Sequence, residues 1–192
     1  GLPTRYAAGR PMSESPPVTL LVTLAQLAQH RRVADLAALL RHPDVLAWLH
    51  AAGGDSTDWL TLLDDYSAEH LQDRITGDWL GHGRRAGRLG FLWRRISALI
   101  PEEPGQVIPL PEWCDSILKA LAQIFGGMSF KRENESQRPT LRALESITSL
   151  VSEHQQLDPT NTITPSVTFT AAIGLLLQRL EGEIIPEDAG TP

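Results

Sequence analysis

Apolar residues recur three and four positions apart along most of this chain, and a proline repeatedly opens the recurrence. That period puts the apolar side chains on one face of a helix. Proline suits the first helical turn, where its missing N–H had no partner to lose. Ser15-Pro16 leads into Leu20, Leu21, Leu24 and Leu27, and residues 33–41 continue with Leu36, Leu39 and Leu40. Pro43 opens a stripe of Val45, Leu46, Trp48 and Leu49 that Gly53-Gly54 ends. Asp55 or Ser56 is expected to cap the next helix, which carries Trp59, Leu60, Leu63 and Tyr66.

A glycine-rich connection is expected over residues 76–90, followed by a helix over 89–100 that Pro101 stops. Residues 101–111 hold four prolines and read as a loop. Pro111 then opens a helix with Trp113, Ile117, Leu118, Leu121, Ile124 and Phe125, broken by Gly126-Gly127. Polar residues 127–138 follow, and then a stripe of Leu141, Leu144, Ile147, Leu150 and Val151. Thr164-Pro165 is expected to open a long last helix reaching Leu180, closed by Gly182. Strand candidates are short: residues 4–7, 106–110 and 183–185. The expected fold class is all-α, an irregular domain of about seven or eight helices with a short extended segment at the N-terminus.

The formal net charge is -6, which argues against a chain that coats nucleic acid by bulk charge. Of the 17 basic residues only Lys119 and Lys131 are lysines, a skew most simply laid to a GC-rich genome. Cys114 is the single cysteine, so no intrachain disulfide can form, which fits a reducing cytoplasm. No apolar run approaches the ~20 residues of a membrane span.

Motifs with chemistry are missing. No glycine precedes either lysine, so there is no phosphate-binding loop. Ile117 and Ser129 stand two residues before the lysines, where a PD-(D/E)xK nuclease needs an acid. His42 and His50 lie eight apart, a weak basis for a metal pair beside capping or exposure. Asp64, Asp65, Glu69 and His70 form a local acidic group that reads as a solvated face. Cys114 beside Trp113 reads as a small buried residue. No catalytic residue, metal ligand or cofactor site is expected.

One segment stands out electrostatically. No acid occurs between Asp78 and Glu102, yet His82, Arg84, Arg85, Arg88, Arg94 and Arg95 do. Arginine forks bind phosphate bidentately, and glycines 81, 83, 87 and 90 would admit a phosphate close to the backbone. These six residues are the candidate DNA contact. The competing reading pairs the arginines with surplus acids such as Asp64, Asp65 and Asp73. Trp79, Phe91 and Trp93 would either stack on bases or pack in the core.

The opening residues carry a resemblance. Gly1-Leu2-Pro3 and Tyr6 look like a strand, Gly9-Arg10-Pro11-Met12 like a turn, and residues 13–21 like the start of a leucine-rich helix. Leu36-Ala37-Ala38-Leu39-Leu40-Arg41-His42-Pro43 is similar to an L-x-x-L-L-x-x-P step. The order resembles the junction into the helical 2B domain of superfamily 1 helicases of the UvrD and RecB kind, especially AddB-type and RecC-type nuclease subunits. Asp58-Trp59-Leu60, Leu110-Pro111-Glu112-Trp113 and residues 171–180 share that flavour. The resemblance implies that residues 1–12 end a strand and turn of a neighbouring core and 13–186 form a 2B-like domain, and residues 187–192 are expected to be a disordered tail. It implies an accessory domain of a cytoplasmic DNA-processing enzyme whose ATP hydrolysis and cleavage use other domains. Partners would be DNA and the other domains or subunits, with no membrane. The rival expectation is a helical protein-interaction scaffold, and a third is an enzyme built on Asp64, Asp65 and His70.

Overall fold

The computed structural model describes residues 10–53, 58–81, 83–130, 134, 136–182 and 184–185. Its described elements are β1 (Arg10–Pro11), α1 (Pro16–His30), α2 (Val33–Leu40), α3 (Pro43–Gly53), α4 (Trp59–His70), α5 (Arg84–Ser97), β2 (Ile108–Pro109), α6 (Leu110–Phe125), α7 (Arg138–Gln155), β3 (Ser166–Val167), α8 (Phe169–Leu180) and β4 (Ile184–Ile185). The fold is all-α. The strands form two antiparallel pairs, β1 with β4 and β2 with β3. No described helix is long and apolar enough to cross a membrane.

Helix α1 is the centre of the molecule. Val18, Leu20, Leu21, Leu24, Ala25, Leu27 and Ala28 are all buried, covering about half of the helix circumference. Helices α2, α7 and α8 pack on it, and a single continuous apolar core follows. The Ser15 hydroxyl donates to the Met12 carbonyl at 2.6 Å, closing a 3-10 turn in front of the two prolines. Buried His42 ties the start of α3 back to α1, its Nε2 lying 2.9 Å from the Pro16 carbonyl oxygen.

Several expectations need correction. Helix α4 is capped by Asp58, whose Oδ1 accepts from the Thr61 N–H at 3.0 Å; Asp55 and Ser56 lie outside the described residues. Helix α5 begins at Arg84, so Gly87 and Gly90 are helical and their backbone is not open to a phosphate. A helical glycine costs about 1 kcal/mol relative to alanine, and burial of Leu89, Leu92 and Ile96 on one face outweighs it. Only Gly77, Gly81 and Gly83 in that stretch use positive φ, at 100°, 86° and 99°.

The last helix starts at Phe169, well after Pro165. The Pro165 carbonyl accepts from the Leu110 N–H at 3.0 Å and the Val167 carbonyl from Trp113 Nε1 at 2.8 Å. These bonds hold residues 165–167 extended, and Thr168 then caps α8 through the Ala171 N–H. Leu110, not Pro111, begins α6. Of the strand candidates, 106–110 shrinks to β2, residues 4–7 lie outside the described residues, and Ile184–Ile185 pairs with Arg10–Pro11, a stretch expected to be a turn.

Leu24 is fully buried on the side of α1 that the other helices cover. Leu24→Ala should therefore cost about 2–5 kcal/mol of unfolding free energy in a urea titration followed by circular dichroism.

Candidate functional site

The described arginines of the acid-free stretch stand in different surroundings. Helix α5 turns Leu89, Leu92 and Ile96 inward. Arg85, at its first turn, reaches across to α4: Nη1 donates to Glu69 Oε2 at 2.6 Å and Nη2 lies 3.9 Å from Asp65 Oδ2. For this arginine the structure shows an internal ion pair. The pair is half-exposed and so contributes little to stability. Arg95 lies 4.6 Å from the Trp48 ring centroid, a cation–π contact, with its Nε buried. Arg88 is half-buried, and His82 lies outside the described residues. Arg84 and Arg94 are exposed, and neither has an ion-pair partner among the described residues.

The aromatic residues divide similarly. Phe91 stacks on Trp59 at 6.1 Å between centroids, and Trp79 meets Tyr66 edge-on at 5.0 Å, so both are packing residues. Trp93 is half-buried and takes part in no ring pair among the described residues.

Trp93 instead lines a cleft of about 470 Å³ together with Arg31, Arg94, Pro101, Glu102 and Lys119. A second cleft, of about 870 Å³, lies between the end of α1, residues 74–76, Pro104-Gly105 and the start of α8. Arg31 and Arg74 line it with His30, Thr76 and Thr170, and among the described residues no carboxylate does. Arg31 belongs to both clefts. Arg31, Arg74 and Lys119 carry no sequence signal, being far apart in the chain and set in no motif.

Two left-handed residues build this junction. Arg31, at φ 49°, ends α1, and Leu71, at φ 50°, ends α4. Such positions usually take glycine, and here backbone bonds hold them. The Arg31 N–H donates to the Leu27 carbonyl at 2.9 Å, and the Ile75 N–H donates to the Arg31 carbonyl at 2.7 Å. The Val33 N–H reaches the Asp73 carbonyl at 2.8 Å. The link after α4 thus runs antiparallel beside the α1–α2 link and delivers Arg74 to the cleft. Buried Tyr66 anchors the same link. Its hydroxyl donates to Gln72 Oε1 at 2.5 Å and accepts from the Leu80 N–H at 2.7 Å.

The other candidates resolve into structure. Asp64, Asp65 and Glu69 are exposed, and neither cleft is lined by them or by His70. His70 lies against Tyr66 at 4.6 Å between centroids. Among the described residues no group of three or more His, Cys, Asp or Glu could hold a metal, and His42 and His50 belong to no such group. Burial, with the neighbouring Asp115 charge, pushes the Cys114 thiol up to about 11, and its Sγ lies 3.7 Å from the Leu110 carbonyl oxygen. No protein-family model matches the chain, and neither does any curated protein or any solved structure.

Tyr66→Phe would leave the Leu80 N–H and Gln72 without their partner, at a cost of about 1–3 kcal/mol. Urea unfolding should show that loss, and hydrogen exchange should show faster amides at residues 72–80. Cys114 needs its thiolate to react, so at pH 7–8 iodoacetamide should label it only at the rate of unfolding.

Proposed function

We propose that this chain is a non-catalytic helical accessory domain of a helicase-related DNA recombination or repair nuclease, of the AddB or RecC kind. It positions DNA against neighbouring domains and works in the cytoplasm. The observation that carries the reading is a surface that keeps cations unspent in an acidic chain. Arg84 and Arg94 come from the acid-free stretch, are exposed, and have no ion-pair partner among the described residues, although the chain carries a formal charge of -6. Arg85, by contrast, is tied to Glu69 and Asp65. Unpaired guanidinium forks are suited to phosphate. The sequence resemblance supplies the DNA-processing context.

A protein-interaction scaffold is the second reading. Arg85, tied to Glu69, and the exposed apolar side chains of Leu71 and Leu80 at the ends of one link favour it.

Salt dependence separates the two. Binding of a DNA oligonucleotide should weaken steeply with salt, with log affinity falling by about 0.7–0.9 per phosphate contact for each unit of log salt. Arg84→Ala with Arg94→Ala should flatten that slope by at least about 0.7, the loss of one phosphate contact. An absence of binding at low salt, or a slope that the double variant leaves unchanged, would sink the DNA reading. A scaffold that docks through leucines would instead hold its partner nearly independently of salt.

A further inference from the structure

We propose that the two clefts meeting at Arg31 form one groove for a single strand of nucleic acid. Arg74, Arg31, Arg94 and Lys119 take its phosphates, and Trp93 offers a face to a base. The proposal rests on the nucleic-acid reading above and extends its contact from Arg94, near the end of α5, into the clefts.

The first argument is charge. Four cations from four distant parts of the chain, at positions 31, 74, 94 and 119, line two adjoining clefts. Acids outnumber bases in the chain by 23 to 17, so a wall assembled without selection for charge would be acidic. Among the described residues Glu102 is the one carboxylate lining either cleft. None of the four cations has an ion-pair partner among the described residues. His30, at the rim of the larger cleft, does face an acid: its Nδ1 lies 3.7 Å from Asp35 Oδ2.

The second argument is shape. Arg31, Arg74, Arg94 and Lys119 are exposed along two concave clefts, which a single strand can follow, whereas a duplex presents its phosphates on a broad convex surface. A basic groove with an aromatic face is how proteins hold single strands without reading sequence. Trp93 lines the smaller cleft beside Arg94 and, unlike Trp59 and Trp79, engages no other ring among the described residues. An acidic peptide would use the cations but has no comparable use for the indole face.

The third argument is rigidity. Arg31 stands where the clefts join, and its backbone is held on both sides, by the Leu27 carbonyl at 2.9 Å and the Ile75 N–H at 2.7 Å. That bond from Ile75 also fixes the chain next to Arg74. The backbone positions of Arg31 and Arg74 therefore keep their spacing before any ligand arrives, which lowers part of the ordering cost of binding.

The test uses the 192-residue chain, fluorescein-labelled oligothymidylate, a duplex of the same length and an oligoglutamate peptide. Arg94 and Lys119 are exposed helical residues, so Arg94→Gln with Lys119→Gln should fold normally, and a thermal melt checks this. The proposal expects that pair to bind oligothymidylate at least tenfold more weakly, with the salt slope flattened by about 1.4. Trp93→Phe should lose most of the tryptophan quenching that accompanies binding, while Arg84→Gln, outside both clefts, should bind nearly as the parent does. The groove is overturned if the cleft pair binds as well as the parent; salt-dependent binding lost through Arg84→Gln would then leave DNA on α5 and the accessory-domain reading intact. Absence of any nucleic-acid binding at low salt removes both. Tighter binding of the duplex overturns the single-strand assignment, and equal displacement by oligoglutamate makes the groove a peptide site.

Discussion

The structure depends on covering the apolar half of α1. Leu20, Leu21, Leu24 and Leu27 are fully or almost fully buried, and burying each such side chain stabilises the fold by about 1.5–3 kcal/mol. No neighbour in sequence can cover that much surface alone. Helix α2 takes one part, and α7 and α8, more than a hundred residues further on, take the rest. The beginning and the end of the described chain are therefore parts of one core, and the middle helices are arranged around a contact made by its extremes.

That arrangement leaves irregular backbone at the helix ends, and there the chain pairs its links with one another. The link after α4 lies against the turn between α1 and α2, while residues 165–168 lie against the approach to α6. Each link satisfies the other's polar groups where no helix can. The clefts open along these seams because helix ends, unlike helix sides, do not pack flush. Of their cations, Arg31 and Arg74 are carried by backbone that this pairing fixes.

Much of the helical pattern was legible from spacing alone. The stripes of α1 and α6 matched buried faces because their leucines, isoleucines and aromatics repeat without interruption. The start of α5 was hidden by glycines 87 and 90, whose local preference opposes a helix that the burial of Leu89 and Leu92 imposes. The start of α8 was misplaced because Pro165 is a good opening residue locally, while Leu110 and Trp113 claim the carbonyls around it from far away. The candidate site was half legible. Arg94 fell within a visible acid-free run, but Arg31, Arg74 and Lys119 meet it only through packing. Arg85 lay in the same run and turned out to be occupied by Glu69, a partner 16 residues back that lies on another helix.

The pairing of Arg10–Pro11 with Ile184–Ile185 has a mechanical consequence. The ladder is two residues long, and Pro11 contributes no donor to it. Tension applied between Arg10 and Ile185 would act across the outermost pair and peel the ladder open one step at a time. The helices would carry no load until it had parted. The weakest element of the molecule thus stands in series before the strongest, as a fuse that yields while the body stays folded.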